Sequence, residues 1–290
     1  MKNTSIKNTS IKNTNMEKVS KKLITMCSIM GAINTNNPSG LSSLLKTAKS
    51  NGINIDTPIS DGNGGFIPIL HLSVGLGYLE IVKILIKNNA DVNVPNEVGH
   101  LPLHLAISGK LTDMALLLID NGANVNALHV SGLSPLITAI ENNCTEIAIK
   151  LIDNGANINE DVIKINKDIK IKINALNSSI MLEDIDVFNK LLECNVEINS
   201  ITSKREIYSV SLDLAIHKKN KYMINTLLEN KNIDKCRKKS IDCIVCYSNI
   251  DISWCSKCNI IGYCSIECQK KDWPIHKLYC QHITRLSKRK

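Results

Sequence analysis

Three observations in the sequence predict a mostly α-helical fold of thin helix pairs stacked in tandem, followed by a small cysteine-rich module. Landmark residues recur with one period through the middle of the chain, helical start and stop signals repeat within each period, and seven of 11 cysteines crowd between Cys243 and Cys280. Aromatic residues make up only 3%, so the core must be filled by Leu, Ile, Val and Ala. That suits thin repeats better than an enzyme core around a deep cavity.

The period is 33: Asn93, Asn126 and Asn159 are spaced by it, as are Ala90, Ala123 and Ala156, and so are the steps His71 to His104 and Pro102 to Pro135. Independent landmarks sharing one period mark units too thin to bury an apolar face alone. Within a unit, Ser134 is placed to cap a helix that begins at Pro135, with Leu136, Ala139 and Ile140 on one face. A second helix follows, with Ile147, Ala148, Leu151 and Ile152 on its buried side. Gly122 and Gly155 stand where that helix must end on a left-handed residue, and Asn89 takes the place one unit earlier.

The strings Leu101-Pro102-Leu103-His104-Leu105-Ala106 and Asn121-Gly122-Ala123-Asn124-Val125-Asn126 resemble the TPLHLA and NGADVN signatures of ankyrin repeats, and three units match over residues 66–159. Leu101 replaces the usual Thr, and Pro68 sits one place early relative to His71. Residues 23–56, ending in Asn51-Gly52-Ile53-Asn54-Ile55-Asp56, resemble an N-terminal capping repeat. After Asn159 the period slips, because Asn195-Val196-Glu197-Ile198-Asn199 ends 40 residues later, which puts an insertion within Ile163 to Ile173. A half-matching unit covers residues 212–229.

The expected architecture is an ankyrin-repeat solenoid of about five to six units over residues 58–232, with a degenerate capping repeat at 23–57. Residues 1–22 are expected to be a disordered low-complexity tail, since the repeat MKNTS-IKNTS-IKNTN offers one apolar residue in five. The resemblance implies structural hydrogen bonds for His71 and His104. It also implies protein partners at the hairpin tips and first helices, here Asn96, Glu97, Val98, His100, His129, Val130, Ser131 and Leu133.

From Cys243 the spacing runs C-x2-C-x8-C-x2-C-x5-C-x3-C-x7-H-x3-C, naming Cys243, Cys246, Cys255, Cys258, Cys264, Cys268, His276 and Cys280. Eight such ligands complete two closed tetrahedral Zn2+ sites. The clustering favours metal over a disulfide framework. Spacing alone leaves sequential and interleaved pairing of the ligands both open.

Tyr263-Cys264-Ser265-Ile266-Glu267-Cys268-Gln269, with Trp273, His276 and Cys280, resembles the MYND-type zinc finger, here residues 240–282 with a basic tail at 283–290. The resemblance implies interleaved sites: Cys243, Cys246, Cys264 and Cys268 on one ion, Cys255, Cys258, His276 and Cys280 on the other. It further implies a shallow groove for proline-containing peptides at Ser256, Gln269 and Trp273. With every coordination position supplied by protein, both ions read as structural, and no catalytic residue is expected.

The formal charge of +8 divides into +5 over residues 1–22, −5 over 23–230 and +8 over 231–290. Zinc-bound thiolates would lower the last figure to about +5, so charge argues poorly for nucleic acid. The longest apolar run, Met114 to Ile119, is six residues against the ~20 of a membrane span. Cys27, Cys144, Cys194 and Cys236 read as ordinary small residues. The expectation is an intracellular adaptor, cytoplasmic or nuclear, that binds proteins and acts on no small-molecule substrate; a zinc-dependent nucleic-acid-associated or transcriptional regulatory factor is the alternative.

Overall fold

The computed structural model describes residues 5–60, 65–160, 162–166, 169–198, 211, 214, 215, 218–230, 253–256, 262, 263, 265–271, 273 and 280. The chain forms two compact units, Met1–Thr138 and Ala139–Lys290, with the division inside one helix. The described residues are mostly helical.

The first unit begins with α1 (Ser5–Asn34) against α2 (Pro38–Ser50). The helix α1 runs across the expected boundary between residues 22 and 23. The stretch from Ser5 to Met30 contains neither Gly nor Pro, so nothing stops the helix that buries Met26, Ile29 and Ile33 from extending backwards. The boundary between tail and capping repeat therefore falls inside one helix.

A short antiparallel hairpin follows, β1 (Ile59–Ser60) with β2 (Phe66–Ile67), pairing Ile59 with Ile67. Two helix pairs come next, α3 (Ile69–Gly75) with α4 (Leu79–Lys87) and α5 (Pro102–Ser108) with α6 (Thr112–Asp120). First helix packs on first helix, α3 on α5, while α2, α4 and α6 pack in succession. Leu70, Val74, Leu85, Leu103, Ile107 and Leu118 fill the space between them, each at most 2% exposed. Burying a Leu or Ile side chain contributes roughly 1.5–3 kcal/mol.

The sequence landmarks have structural causes. Asn89, Gly122 and Gly155 adopt φ of 66°, 84° and 82°, ending their helices on left-handed residues. The next N–H, of Ala90, Ala123 or Ala156, then bonds back to the carbonyl of Leu85, Leu118 or Leu151 at 3.0 Å, and a small buried residue fits that place. The recurring Asn ties one turn to the next: Asn93 Nδ2 donates to the Gly122 carbonyl at 3.0 Å, and its Oδ1 accepts from the Asn124 N–H at 2.7 Å. Asn159 Oδ1 likewise accepts from the Glu197 N–H at 2.8 Å.

The helix α7 (Pro135–Glu141) spans the division between units, with the Ser134 hydroxyl accepting from the Ile137 N–H at 3.4 Å as the sequence predicts. In the second unit, α8 (Thr145–Asp153) precedes β3 (Val162–Asn166) and β4 (Ile169–Ile173), an antiparallel hairpin formed by the insertion. Then come α9 (Ala175–Leu182), α10 (Ile185–Glu193) and α11 (Lys221–Glu229), with α10 packed on both α8 and α9. Asp184 caps α10 through Oδ1 to the Val187 N–H at 3.1 Å, and its Oδ2 accepts from the Thr145 hydroxyl at 2.6 Å. Last, β5 (Ser253–Trp254) pairs with β6 (Gly262–Tyr263), and Tyr263 is buried.

Candidate functional site

Two hairpin tips in the first unit are built on the same plan. At one, the Asn96 N–H donates to the His100 carbonyl and the Gly99 N–H to the Asn96 carbonyl, both at 2.9 Å. The Asn96 side-chain oxygen accepts from the N–H groups of Val98 and His100. At the next, the His129 N–H donates to Leu133 at 2.9 Å, and the ring Nδ1 accepts from the Ser131 N–H at 3.1 Å and the Ser131 hydroxyl at 2.8 Å. The imidazole of His129 thus does the work that the carboxamide does at Asn96. Gly99 and Gly132 take φ of 88° and 78°, which closes each turn at little cost only without a Cβ.

Histidines of the first helices hold these tips in place, as the repeat resemblance implies. His71 Nε2 donates to the His100 carbonyl at 2.8 Å, and His104 Nε2 to the Ala127 carbonyl at 2.7 Å. A carbonyl can only accept, so both rings carry their proton on Nε2. His104 Nδ1 accepts the Leu101 N–H at 3.1 Å, whereas the buried His71 Nδ1 has no hydrogen-bond partner among the described residues. Burial holds both imidazoles below the usual histidine pKa, against the raising effect of those carbonyl bonds. Neutral, pinned rings of this kind orient backbone and are poorly placed as bases.

The rings of His100 and His129 stack at 4.1 Å, so the two tips touch each other. Val130 also lies over Gly99, its Cγ1 3.8 Å from where a Cβ would stand. Val98 and Val130 are each 62% exposed, beside Phe66 at 55% and Leu128 at 51%. Of the eight predicted partner residues, Glu97, Val98, Val130 and Ser131 are exposed, while Asn96, His100, His129 and Leu133 are half-buried. Glu97 is engaged as well, accepting from the Phe66 N–H at 3.0 Å. Phe66, which follows Gly64-Gly65, and Leu128, in the loop after Asn126, were not among the predicted residues.

In the cysteine-rich module, Cys255, Cys268 and Cys280 are described, whereas Cys243, Cys246, Cys258, Cys264 and His276 lie outside the described residues. The Sγ atoms of Cys255 and Cys280 are 3.7 Å apart and both residues are buried. Two thiolates on one tetrahedral zinc, with Zn–S bonds of about 2.3 Å, stand about 3.8 Å apart, so the pair fits a shared ion. Sequential pairing would put these cysteines on different ions; the separation fits the interleaved arrangement. Residues 266–271 are helical, and the Ser265 hydroxyl accepts from the Cys268 N–H at 3.2 Å, which sets Cys268 in the first turn. The Glu267 carboxyl is held below its usual pKa by its own backbone N–H and the Ser265 hydroxyl. Of the predicted peptide contacts, Ser256 and Trp273 are exposed and Gln269 is half-buried, its N–H donating to the Ser265 carbonyl at 3.1 Å.

The family model for ankyrin repeats, in three copies, matches residues 11–129 and 70–162, together over half of the chain. The chain belongs to the ankyrin-repeat family. This ankyrin-repeat protein also matches the MYND finger model over residues 234–280. Among curated relatives, it is 38% identical over 48 residues to histone-lysine N-methyltransferase ASHR1 of Arabidopsis thaliana, covering 17% of this chain and 10% of the relative. It is 46% identical over 42 residues to N-lysine methyltransferase SMYD2 of Rattus norvegicus, 14% of this chain and 10% of that one. With the Homo sapiens SMYD2 it shares 46% over 39 residues, 13% and 9%. The chain thus spans about a tenth of the length of these relatives, and the SMYD2 matches are confined to the finger. Both modules of the ankyrin-repeat protein are interaction modules, and its finger binds zinc. No helix among the described residues is long and apolar enough to cross a membrane.

Proposed function

We propose that this ankyrin-repeat protein is a non-enzymatic intracellular adaptor, cytoplasmic or nuclear, that joins one protein held on its hairpin tips to a proline-containing peptide held by its finger. The observation that carries the reading is the pair of touching tips, hydrogen-bonded in backbone and bearing exposed Val98 and Val130, with Phe66 bonded to Glu97 and Leu128 next to His129 in the chain. Singly exposed apolar residues are ordinary, but several on two tips joined by the His100–His129 stack suit an interface core. Glu97, His100, His129 and Ser131 shape and rim that surface, with Asn96 and Leu133 as its supports.

In the finger, Cys243, Cys246, Cys264 and Cys268 hold one zinc and Cys255, Cys258, His276 and Cys280 a second. Zinc supplies cross-links that a module of some 40 residues lacks in its own core. Ser256, Gln269 and Trp273 receive the peptide, with Trp273, 41% exposed, as its apolar contact. Methyl transfer belongs to the relatives, which share only the finger segment with this chain.

Direct binding tests the reading. A labelled Pro-x-Leu-x-Pro peptide is titrated into the full chain and into Trp273→Ala, and proximity labelling in the host cell is compared between native protein and a Val98→Asp, Val130→Asp variant. Loss of peptide affinity in the first and loss of a defined set of neighbours in the second support the adaptor; identical results for native and variant proteins contradict it.

A further inference from the structure

We propose that His129 is a proton-operated clasp on the second of the two hairpin tips: the neutral ring closes the tip and stacks on His100, and a ring that has taken up a proton opens the tip and alters the surface that Val98 and Val130 share. The clasp rests on the adaptor reading only for the use of that surface. Its opening is read in the free chain, so the two fail separately.

The tips differ at the residue that closes them. Asn96 and His129 stand one period apart, and the Asn96 carboxamide oxygen accepts from the N–H groups of Val98 and His100 at 3.1 and 2.9 Å. A carboxamide does not titrate near neutral pH. His129 performs the task with Nδ1, which accepts from the Ser131 N–H at 3.1 Å. A backbone N–H can only donate, so the neutral ring carries its proton on Nε2, and Nδ1 is the atom that a second proton would take. Once protonated, Nδ1 faces the Ser131 N–H donor to donor. The Ser131 hydroxyl, 2.8 Å from Nδ1, can turn to accept, but the backbone bond is lost.

A second departure from the repeat meets the first. His100 stands where the next unit has Leu133, and its ring lies on that of His129 at 4.1 Å with 26° between the planes. Rings so nearly parallel direct their nitrogen lone pairs side by side rather than to one point, which does not suit a shared metal ion. His104 meets both rings edge-on, at 6.2 Å from His100 and 5.6 Å from His129.

The titratable groups around the pair, among the described residues, are His71 from α3, His104 from α5 and, on the first tip, Glu97, whose carboxylate bonds the Phe66 N–H. None of the ion pairs among those residues joins a carboxylate to one of the four imidazoles. A proton on His129 thus meets other imidazoles and no compensating anion. Burial holds the His129 pKa below the usual histidine value, and His100 and His104 push it the same way. The clasp is therefore fully closed above the unfolded histidine value of about 6.5 and opens as pH falls below it.

Ring 15N shifts and amide hydrogen exchange of the full-length, zinc-replete chain test the clasp. At pH 7.5, His129 Nδ1 should show the shift of an unprotonated nitrogen. The His129 and Gly132 N–H groups are bonded within the second tip, as those of Asn96 and Gly99 are within the first. Between pH 7.5 and pH 5, protection factors on the second tip should fall roughly tenfold, while those on the first change by less than about twofold. His129→Asn, which copies Asn96, should keep the second tip protected at both pH values. A proton on Nδ1 at pH 7.5, protection lost from both tips alike or from neither, or a pH dependence that survives in His129→Asn would each overturn the proposal.

Discussion

His104 Nδ1 accepts the N–H of Leu101 at 3.1 Å, closing the first turn of α5 from the side chain back to the cap. The equivalent cap of α3 is Pro68, which has no N–H, and the equivalent acceptor, His71 Nδ1, is buried without a partner among the described residues. One residue's displacement of a proline thus costs the protein a hydrogen bond in the interior.

Pro68→Leu, which copies the cap of the next repeat, should therefore stabilise the fold. A buried acceptor left unsatisfied costs about 1–3 kcal/mol, and loss of the proline returns roughly 0.4–1 kcal/mol of entropy to the unfolded chain. The expected net gain is about 1 kcal/mol in urea denaturation, with the His71 ring nitrogens changing in 15N chemical shift. An unchanged or lower midpoint would argue that Pro68 is fitted to its site for another reason.

Acid should weaken the first unit. His71 and His104 have pKa values lowered by burial, so the unfolded chain takes up protons first as pH falls. Their contribution is complete above the unfolded histidine value of about 6.5 and is lost as pH drops through it towards the folded values. The urea midpoint should fall between pH 7.5 and pH 5, and His104→Asn should start lower but change less over that range. A midpoint that rises on acidification would contradict the assignment of neutral Nε2–H rings.

Much of this was legible in the sequence, for a physical reason. The 33-residue landmarks are the residues that close each turn: Asn93 bridges to Gly122 and Asn124, and Ala123 sits where only a small residue fits behind α6. Such positions repeat because the backbone geometry repeats. The stacking of His100 on His129 was not legible, since in the period His129 aligns with Asn96 rather than with His100. In the finger, spacing leaves the pairing of the expected ligands open; the approach of Cys255 to Cys280 is a tertiary fact that spacing does not hold.

Asp184 has two partners at once, the Val187 N–H and the Thr145 hydroxyl. Asp184→Ala should cost about 1–3 kcal/mol, combining a lost cap with an orphaned hydroxyl. Thr145→Ala alone should cost less, because the cap survives. Equal losses for the two variants in urea denaturation would show the cap to be idle.

Cadmium substitution reads the ligand pairing directly. With 113Cd in place of zinc, the β-protons of Cys255 and Cys280 should couple to one and the same cadmium resonance. Coupling to two different resonances would mean that the 3.7 Å approach of their sulfurs does not represent a shared ion.

Zinc content of the purified full-length chain, joined to its zinc-edge X-ray absorption, bears most directly on the account of a repeat stack with a metal-knit finger. Two ions per chain in an average environment of seven sulfurs to one nitrogen is the predicted result, matching seven cysteines and His276. A metal-free chain in which Cys255, Tyr263 and Cys280 stay protected from solvent would contradict it.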